Sequence, residues 1–413
     1  MSAYTSKGRI GYSLLTPRPT KGAFFGFPIM SKVFAVLGAG MQGTALAYDL
    51  AKHASPERVI LADVCGDQAA AAAERVNRLA ESDVCTSAQV DALDEAEMVV
   101  FLKEVDVLAS CVPYWMHPQI AAAAIAAKTS MVDLGGNTEI TLKTLAMNAA
   151  AQESQVTLVP DCGLAPGLVN NLGCYCIEQL DEVESVKLYC GVLPQHPEPP
   201  FNYKLTFNVE GLVTEYDYEA VVLRDGKIEK VDTLDELESL HIEELGNMEA
   251  FTTSGGTSTA PYTFEGKVKN YEYKTIRFPG HCERMRIFKD FGFWSHERLE
   301  IGDCEVKPVE LFYKVFGDKL AQYEDLDMCA VRAVGLGTKD GQPKRIQIDI
   351  FDREDEATGF TSMERLTGFS AAIYAEAIAA GEMPTGALRY ETAMSGGRFV
   401  EQIQRRGIQL KFN

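Results

Sequence analysis

At 413 residues, 46% of them apolar, the chain is long enough for two or three domains around large cores. Its 59 acidic and 39 basic residues leave a net charge of −20, which repels nucleic acid and anionic lipid, and no Lys/Arg cluster offsets it. No apolar stretch of about 18 residues exists to cross a membrane, and ten scattered cysteines without metal-ligand spacing suggest reduced thiols in a cytoplasmic protein with no metal.

Residues 1–29 carry Lys7, Arg9, Arg18 and Lys21, no acid, and Pro17, Pro19 and Pro28. They read as a disordered extension, because a targeting peptide needs an apolar or amphipathic core that is missing here. A buried strand over 33–37 then runs into Gly38-Ala39-Gly40-Met41-Gln42-Gly43, with a helix over 44–52. A second apolar strand, 59–62, ends at Asp63, followed by Val64. This spacing predicts a dinucleotide site. Gly38 makes the tight turn, Gly40 admits the pyrophosphate, and Gly43 lets helix and strand pack closely. Met41 and Gln42 open the helix whose N-terminus favours the phosphates. Asp63 accepts from the adenosine ribose hydroxyls and repels a 2′-phosphate. With no arginine at Val64 or Cys65, NAD is expected as cofactor rather than NADP.

A helix over 66–81, a strand over 83–85, a helix over 91–103 and a buried strand over 106–112 follow. The end of that strand, Cys111-Val112-Pro113, is placed against the cofactor. His117 opens the next helix (117–128) and falls near the nicotinamide, as a helix start or a catalytic group. A strand over 131–134, a helix to Ser154 capped by Asn137 or Thr138, and a strand over 156–160 complete the alternation. This pattern predicts an α/β doubly wound parallel sheet over 30–160, with ligands beyond the strands' carboxyl ends.

Asp161-Cys162-Gly163-Leu164-Ala165-Pro166-Gly167 follows the sixth strand. Asp161 and Cys162 are placed on the floor of the site. Asp161 reads as an acid/base group or a helix cap, Cys162 as a nucleophile or a small core thiol. Past residue 184, alternating segments at 185–190, 204–209, 220–223, 227–231 and 345–351 predict antiparallel strands. Residues 161–362 thus read as a second, mixed α+β domain. Its candidate site residues are Tyr203 and Lys204 after a proline-rich loop, Thr257 in a glycine loop, Arg277 and His281. Lys204 is an acid/base if desolvated. Arg277 is a bidentate clamp for a carboxylate or a surface ion pair. His281 is a general base or a structural histidine. An apolar helix over 362–380 returns, so that 363–413 completes the first domain.

From about Lys32 to the C-terminus the chain resembles the saccharopine dehydrogenase family, closest to its lysine 6-dehydrogenase-like branch. The resemblance rests on the glycine motif, Asp133-Leu134-Gly135-Gly136-Asn137-Thr138, Pro160 to Gly167, Glu249 to Gly256 and Tyr273 to His281. It implies a Rossmann domain completed by C-terminal helices, a mixed-sheet substrate domain and homo-oligomers, dimeric or higher. It also implies a small amino-acid substrate oxidised at a carbon bearing nitrogen. Oxidative deamination of L-lysine at its ε-carbon to the semialdehyde is the leading expectation. The alternative is a saccharopine- or carboxynorspermidine-type reductase, which needs a second cationic anchor at Lys204 or Arg284. A more distant alternative is a non-catalytic NAD-binding sensor.

Overall fold

The computed structural model describes residues 32–206 and 208–413; the basic extension at 1–29 lies outside the described residues. β1 (Val33–Leu37), α1 (Met41–His53), β2 (Arg58–Asp63), α2 (Gly66–Ala80), β3 (Cys85–Gln89), α3 (Glu95–Leu102) and β4 (Val107–Ser110) come first. α4 (His117–Ala127), β5 (Ser130–Asp133), α5 (Thr138–Leu145), α6 (Asn148–Glu153) and β6 (Thr157–Val159) follow. The strands pair in parallel in the order β6-β5-β4-β1-β2-β3. This is the doubly wound Rossmann arrangement, and the crevice between β1 and β4, where the order reverses, is where such sheets bind ligands. β1, β2 and β4 are apolar on both faces because helices cover both.

The second half contains α7 (Val169–Glu178), β7 (Glu182–Pro194), α8 (Val209–Asp217), β8 (Ala220–Arg224), β9 (Lys227–Val231), β10 (Glu238–Ile242) and β11 (Gly246–Thr252). It continues with α9 (Ala260–Phe264), β12 (Asn270–Arg277), α10 (His281–Asp290), β13 (Leu299–Ile301), β14 (Cys304–Val306), α11 (Pro308–Ala321), β15 (Asp327–Lys339) and β16 (Gln342–Arg353). Its main sheet runs β10-β11-β12-β7-β15-β16, with β8 on β12 and β9 on β8. β12 and β7 are parallel and the other pairs antiparallel. It is therefore a mixed sheet.

The chain then returns through α12 (Ser362–Ala379), β17 (Gly386–Ala387), α13 (Tyr390–Ala393), α14 (Gly396–Arg405) and β18 (Leu410–Phe412). Thr361 and Glu364 form a capping box that starts α12. At Gly368 a Cβ would lie 2.9 Å from the Leu46 backbone nitrogen, so glycine there lets α12 seat on α1. β17 extends the parallel sheet beside β6.

Three expectations need correction. Residues 363–413 do not all join the first domain: β18 pairs with β16 at the edge of the mixed sheet. The strand expected over 204–209 is not found among the described residues of that range; Asn208 caps α8 instead, its side chain accepting from the Gly211 N–H at 2.6 Å. β3 begins at Cys85, because Asn77 fixes the Cys85 backbone with a bond in each direction.

Candidate active site

The glycine loop has the geometry that a pyrophosphate needs. Gly38 has φ +100°, a conformation that disfavours a side chain. A Cβ at Gly43 would lie 1.8 Å from the Gly38 carbonyl oxygen, so any other residue would push α1 off β1. At Gly40, by contrast, nothing lies within 4 Å of the same point, which leaves the approach open. α1 starts there with no capping side chain and no acid in its first turn, so its N–H groups and dipole face outward unopposed. The buried side-chain oxygens of Gln42, in that first turn, and of Ser110, at the end of β4, have no partner among the described residues. These features fit a bound dinucleotide.

Asp63 sits beside this loop. Its Oδ2 accepts from the Ala39 N–H at 2.8 Å and its Oδ1 from the Cys65 N–H at 2.9 Å. Each oxygen keeps a lone pair for a further donor. Val64 and Cys65 are exposed and neither is cationic. Cys111 is anchored by its backbone N–H to the Leu37 carbonyl at 2.8 Å, at the junction of β1 and β4. Met41, Val112 and Pro113 border the same crevice in sequence, Met41 being 56% exposed.

Behind the crevice the strand ends converge on a buried polar network. Asp133, ending β5, takes the Gly135 and Asp161 N–H groups on Oδ1 at 2.9 and 3.0 Å. The same oxygen lies 3.5 Å from Nδ1 of His117, whose Nε2 is 3.2 Å from the Val112 carbonyl. Asp161, with φ +66°, accepts from the Thr141 hydroxyl at 2.9 Å and from the Ser258 hydroxyl. Burial, then the nearby Asp133 carboxylate, holds the Asp161 carboxyl well above the usual carboxylate range.

Asp161 therefore does not line the floor of a cleft. It is fully buried, and Gly135 is pressed against it: a Cβ there would lie 2.3 Å from Asp161 Oδ1. Cys162 is no exposed nucleophile either. Its thiol is fully buried, donates to the Val159 carbonyl at 3.2 Å, and is pushed up in pKa by burial and then by Asp133.

A second cluster gathers around Arg277, the last residue of β12. The side chain is buried. Its Nε donates to the Tyr216 hydroxyl and its Nη1 to the Ile276 carbonyl, both at 3.0 Å. Nη2 lies 3.8 Å from Glu215 Oε2, and the guanidinium sits 5.1 Å from the Tyr203 ring centre. Burial pushes the Glu215 carboxyl up to about 7, against the pull of Arg277. Arg277 is thus buried, in place of a surface ion pair. His281 is held between Tyr216, its Nε2 3.1 Å from the hydroxyl, and the Phe201 carbonyl, 3.3 Å from Nδ1. Burial, then the Arg277 charge, lowers it to about 3. Buried, neutral and engaged at both ring nitrogens, His281 has the surroundings of a structural histidine in place of those of a general base.

Lys204 and Thr257 are also spent elsewhere. The Lys204 ammonium donates to the Asp325 carbonyl, while the neighbouring Tyr203 ring enters the Arg277 cluster. The Thr257 hydroxyl donates to the Val221 carbonyl at 2.7 Å; the next residue, Ser258, is the one that reaches Asp161.

Between the halves, beside the turn after β4, lies a cavity of about 330 Å3. Tyr114, Tyr218 and Tyr313 line it with Glu210, Asp217, Glu310, His296 and Lys307. Lys307 pairs with Glu310 at 2.8 Å, which leaves Glu210 and Asp217 to set the sign of the field. Tyr114 packs at Gly136, where a Cβ would lie 3.2 Å from it. Sequence reasoning missed Asp133, Thr141, Ser258, Glu210, Glu215 and Tyr216. The available signal was the polar and aromatic run at 214–218, which an amphipathic helix N-capped by Asn208 would have brought to the cleft. Among the described residues no His/Cys/Asp/Glu group is arranged to hold a metal ion, and no helix is long and apolar enough to cross a membrane.

Comparison with known proteins gives matches over both halves. The family model described as the saccharopine dehydrogenase NADP binding domain matches residues 34–159, and that described as the saccharopine dehydrogenase C-terminal domain matches residues 163–408. The chain is 24% identical over 260 residues to saccharopine dehydrogenase [NADP(+), L-glutamate-forming] of Saccharomyces cerevisiae, covering 60% of this chain and 57% of that one. It is 25% identical over 233 residues to the mitochondrial alpha-aminoadipic semialdehyde synthase of Mus musculus, covering 52% of this chain and 24% of that one. The chain thus spans between a quarter and somewhat over half of these relatives. The apo structure of the S. cerevisiae L-Glu-forming saccharopine dehydrogenase superposes with a TM-score of 0.72 at 18% identity, over 93% of this chain and all of that one.

Proposed function

The chain belongs to the saccharopine dehydrogenase family, and on that premise we propose that it oxidises an amino acid at a carbon bearing nitrogen, with L-lysine, attacked at the ε-carbon, as substrate and NAD as cofactor. When bound, the cofactor supplies the hydride acceptor. The chain supplies position and charge.

The observation that carries the substrate reading is the two-faced surface of α8. Glu215 meets Arg277 on one side, while Thr214 and Asp217 line the acidic, tyrosine-walled cavity on the other. Arg277 anchors one carboxylate. The cavity, with Glu210 and Asp217 in no ion pair among the described residues, suits an ammonium, which tyrosine faces also attract. A saccharopine-type substrate carries further carboxylates and needs a second anchor. Lys204 is tied to the Asp325 carbonyl, and the Arg284 guanidinium faces the Pro279 carbonyl from an exposed site.

The cofactor reading rests on Asp63. Its carboxylate is fixed at the loop by two backbone donors, and a 2′-phosphate placed beside it meets a like charge that no cation among the described residues pairs with. The relatives named for NADP(+) support the opposite choice, as they support saccharopine chemistry. Both pairs of readings separate in one set of assays on the purified chain. Lysine with NAD+ should give NADH and ammonia. Failure there, with NADPH oxidation by aminoadipate semialdehyde plus glutamate, establishes the reductase reading instead.

A further inference from the structure

Arg277 is bonded less tightly than its burial demands. Two of its guanidinium nitrogens are closely engaged, but Nη2 faces Glu215 at 3.8 Å, beyond hydrogen-bonding reach. The Arg332–Asp349 pair is closed by contrast, with two guanidinium nitrogens on the carboxylate at 2.7 and 3.0 Å. Beside Arg277 the buried Tyr203 hydroxyl has no hydrogen-bond partner among the described residues. The Arg277 side chain is 4% exposed and that of Glu215 35% exposed, so Glu215 is the member of the pair that reaches solvent. The backbone beneath Glu215 is held separately, its carbonyl by the Ser254 N–H at 2.9 Å and that of Thr214 by the Ser254 hydroxyl at 2.8 Å. The side chain is therefore free to swing without unwinding α8.

We propose that Glu215 is the resident occupant of the carboxylate seat on Arg277, displaced by the carboxylate of an incoming amino acid, and so sets how tightly a substrate must bind. The proposal rests on the reading of Arg277 as the carboxylate anchor. A ligand without a carboxylate leaves Glu215 in place, so the residue selects amino acids over simple amines.

The charged and titratable groups facing Glu215 are Arg277 and Tyr273 from β12, Tyr203 from the preceding loop and Tyr216 from α8; His281 of α10 stands behind Tyr216. Of these, Glu215 is the group that titrates near neutrality. Competition with a carboxylate therefore weakens as the pH falls.

The test is calorimetric titration of the NADH-saturated full chain with L-norleucine, which keeps the α-carboxylate of lysine and lacks the ε-nitrogen. Glu215→Gln should bind about five-fold tighter than wild type at pH 8, and the gap should shrink to under about two-fold at pH 6. Glu215→Ala, checked for folding by its melting curve, should tighten binding too. Equal or weaker binding by both variants at pH 8, or a gap that persists at pH 6, overturns the proposal. Arg277→Ala tests the premise separately: it should abolish binding in either background. Unchanged binding there, or no binding to any of the proteins, removes Arg277 from the site, and the proposal with it.

Discussion

The Ser258 hydroxyl, from the mixed-sheet half, donates to the Asp161 carboxyl at the end of β6, so one buried acid joins the two halves behind the crevice. Ser258→Ala leaves an oxygen of that carboxyl without its donor, and the expected loss is about 1–3 kcal/mol in urea unfolding. The pH dependence follows from the raised pKa of Asp161. The folded protein keeps a proton there that the unfolded chain releases above about pH 4, so stability falls as pH rises from that point through the folded value. Asp161→Asn removes this slope. Between pH 6 and 8 the melting temperature of wild type should fall more than that of the variant; parallel curves would show that Asp161 does not titrate in this way.

Asp63 tests the nucleotide preference. Asp63→Asn keeps one acceptor oxygen for the loop amides but removes the charge, and the amide has no second acceptor for the ribose hydroxyls. NADH affinity should drop about ten-fold, or about 1.4 kcal/mol, while NADPH affinity should be unchanged or rise. Fluorescence titration of both nucleotides reads the ratio directly. If both affinities fall together, Asp63 supports the loop and does not discriminate.

The parts of the site that were legible in the sequence are those written in the backbone. Gly38, Gly40, Gly43 and Asp63 can be read because a turn, an open approach and a strand end each restrict the residue type, and each restriction is local. The parallel sheet was legible for the same reason, from apolar runs alternating with helices. The roles of Asp161, Cys162, Lys204 and His281 were not legible. Each depends on what packs over it from far along the chain: Ser258 lies 97 residues from Asp161, and Asp325 lies 121 from Lys204. His281 carries a base-like pKa in any sequence reading, and only its enclosure beside Arg277 and Tyr216 removes it. Likewise β18 is three residues whose sheet depends on which edge lies nearest, something no local pattern encodes.

Cys162 provides a direct check on the corrected chemistry. Its thiol is buried and bonded to a backbone carbonyl, with burial and two carboxyl groups opposing thiolate formation. Cys162→Ala should keep kcat and KM within about two-fold, because no covalent step passes through the sulfur. The loss in stability should be about 1 kcal/mol, the size of a small cavity plus one weak bond. A collapse in kcat with the melting curve unchanged would restore the nucleophile reading.

Arg406 closes the C-terminal segment onto the parallel sheet. Its Nε lies 2.9 Å from both oxygens of Asp49 on α1, and its Nη2 donates to Glu376 on α12 at 2.7 Å. The Arg406 and Asp49 side chains are fully buried, so Arg406→Met leaves at least one carboxylate uncompensated in the interior. Removing one partner of such a pair costs about 3–5 kcal/mol. Even with Arg406 present, burial holds the Asp49 carboxyl up at about 6; without the guanidinium it rises further. The variant should therefore be least impaired in acid, where Asp49 accepts a proton, and its deficit against wild type should widen as pH rises from 5 to 8. Adding Asp49→Asn to Arg406→Met should recover part of the loss at pH 8 and little at pH 5. Urea midpoints of the four proteins at both pH values decide it. A deficit in Arg406→Met that does not change with pH would mean that packing, and not the buried charge of Asp49, is what Arg406 provides.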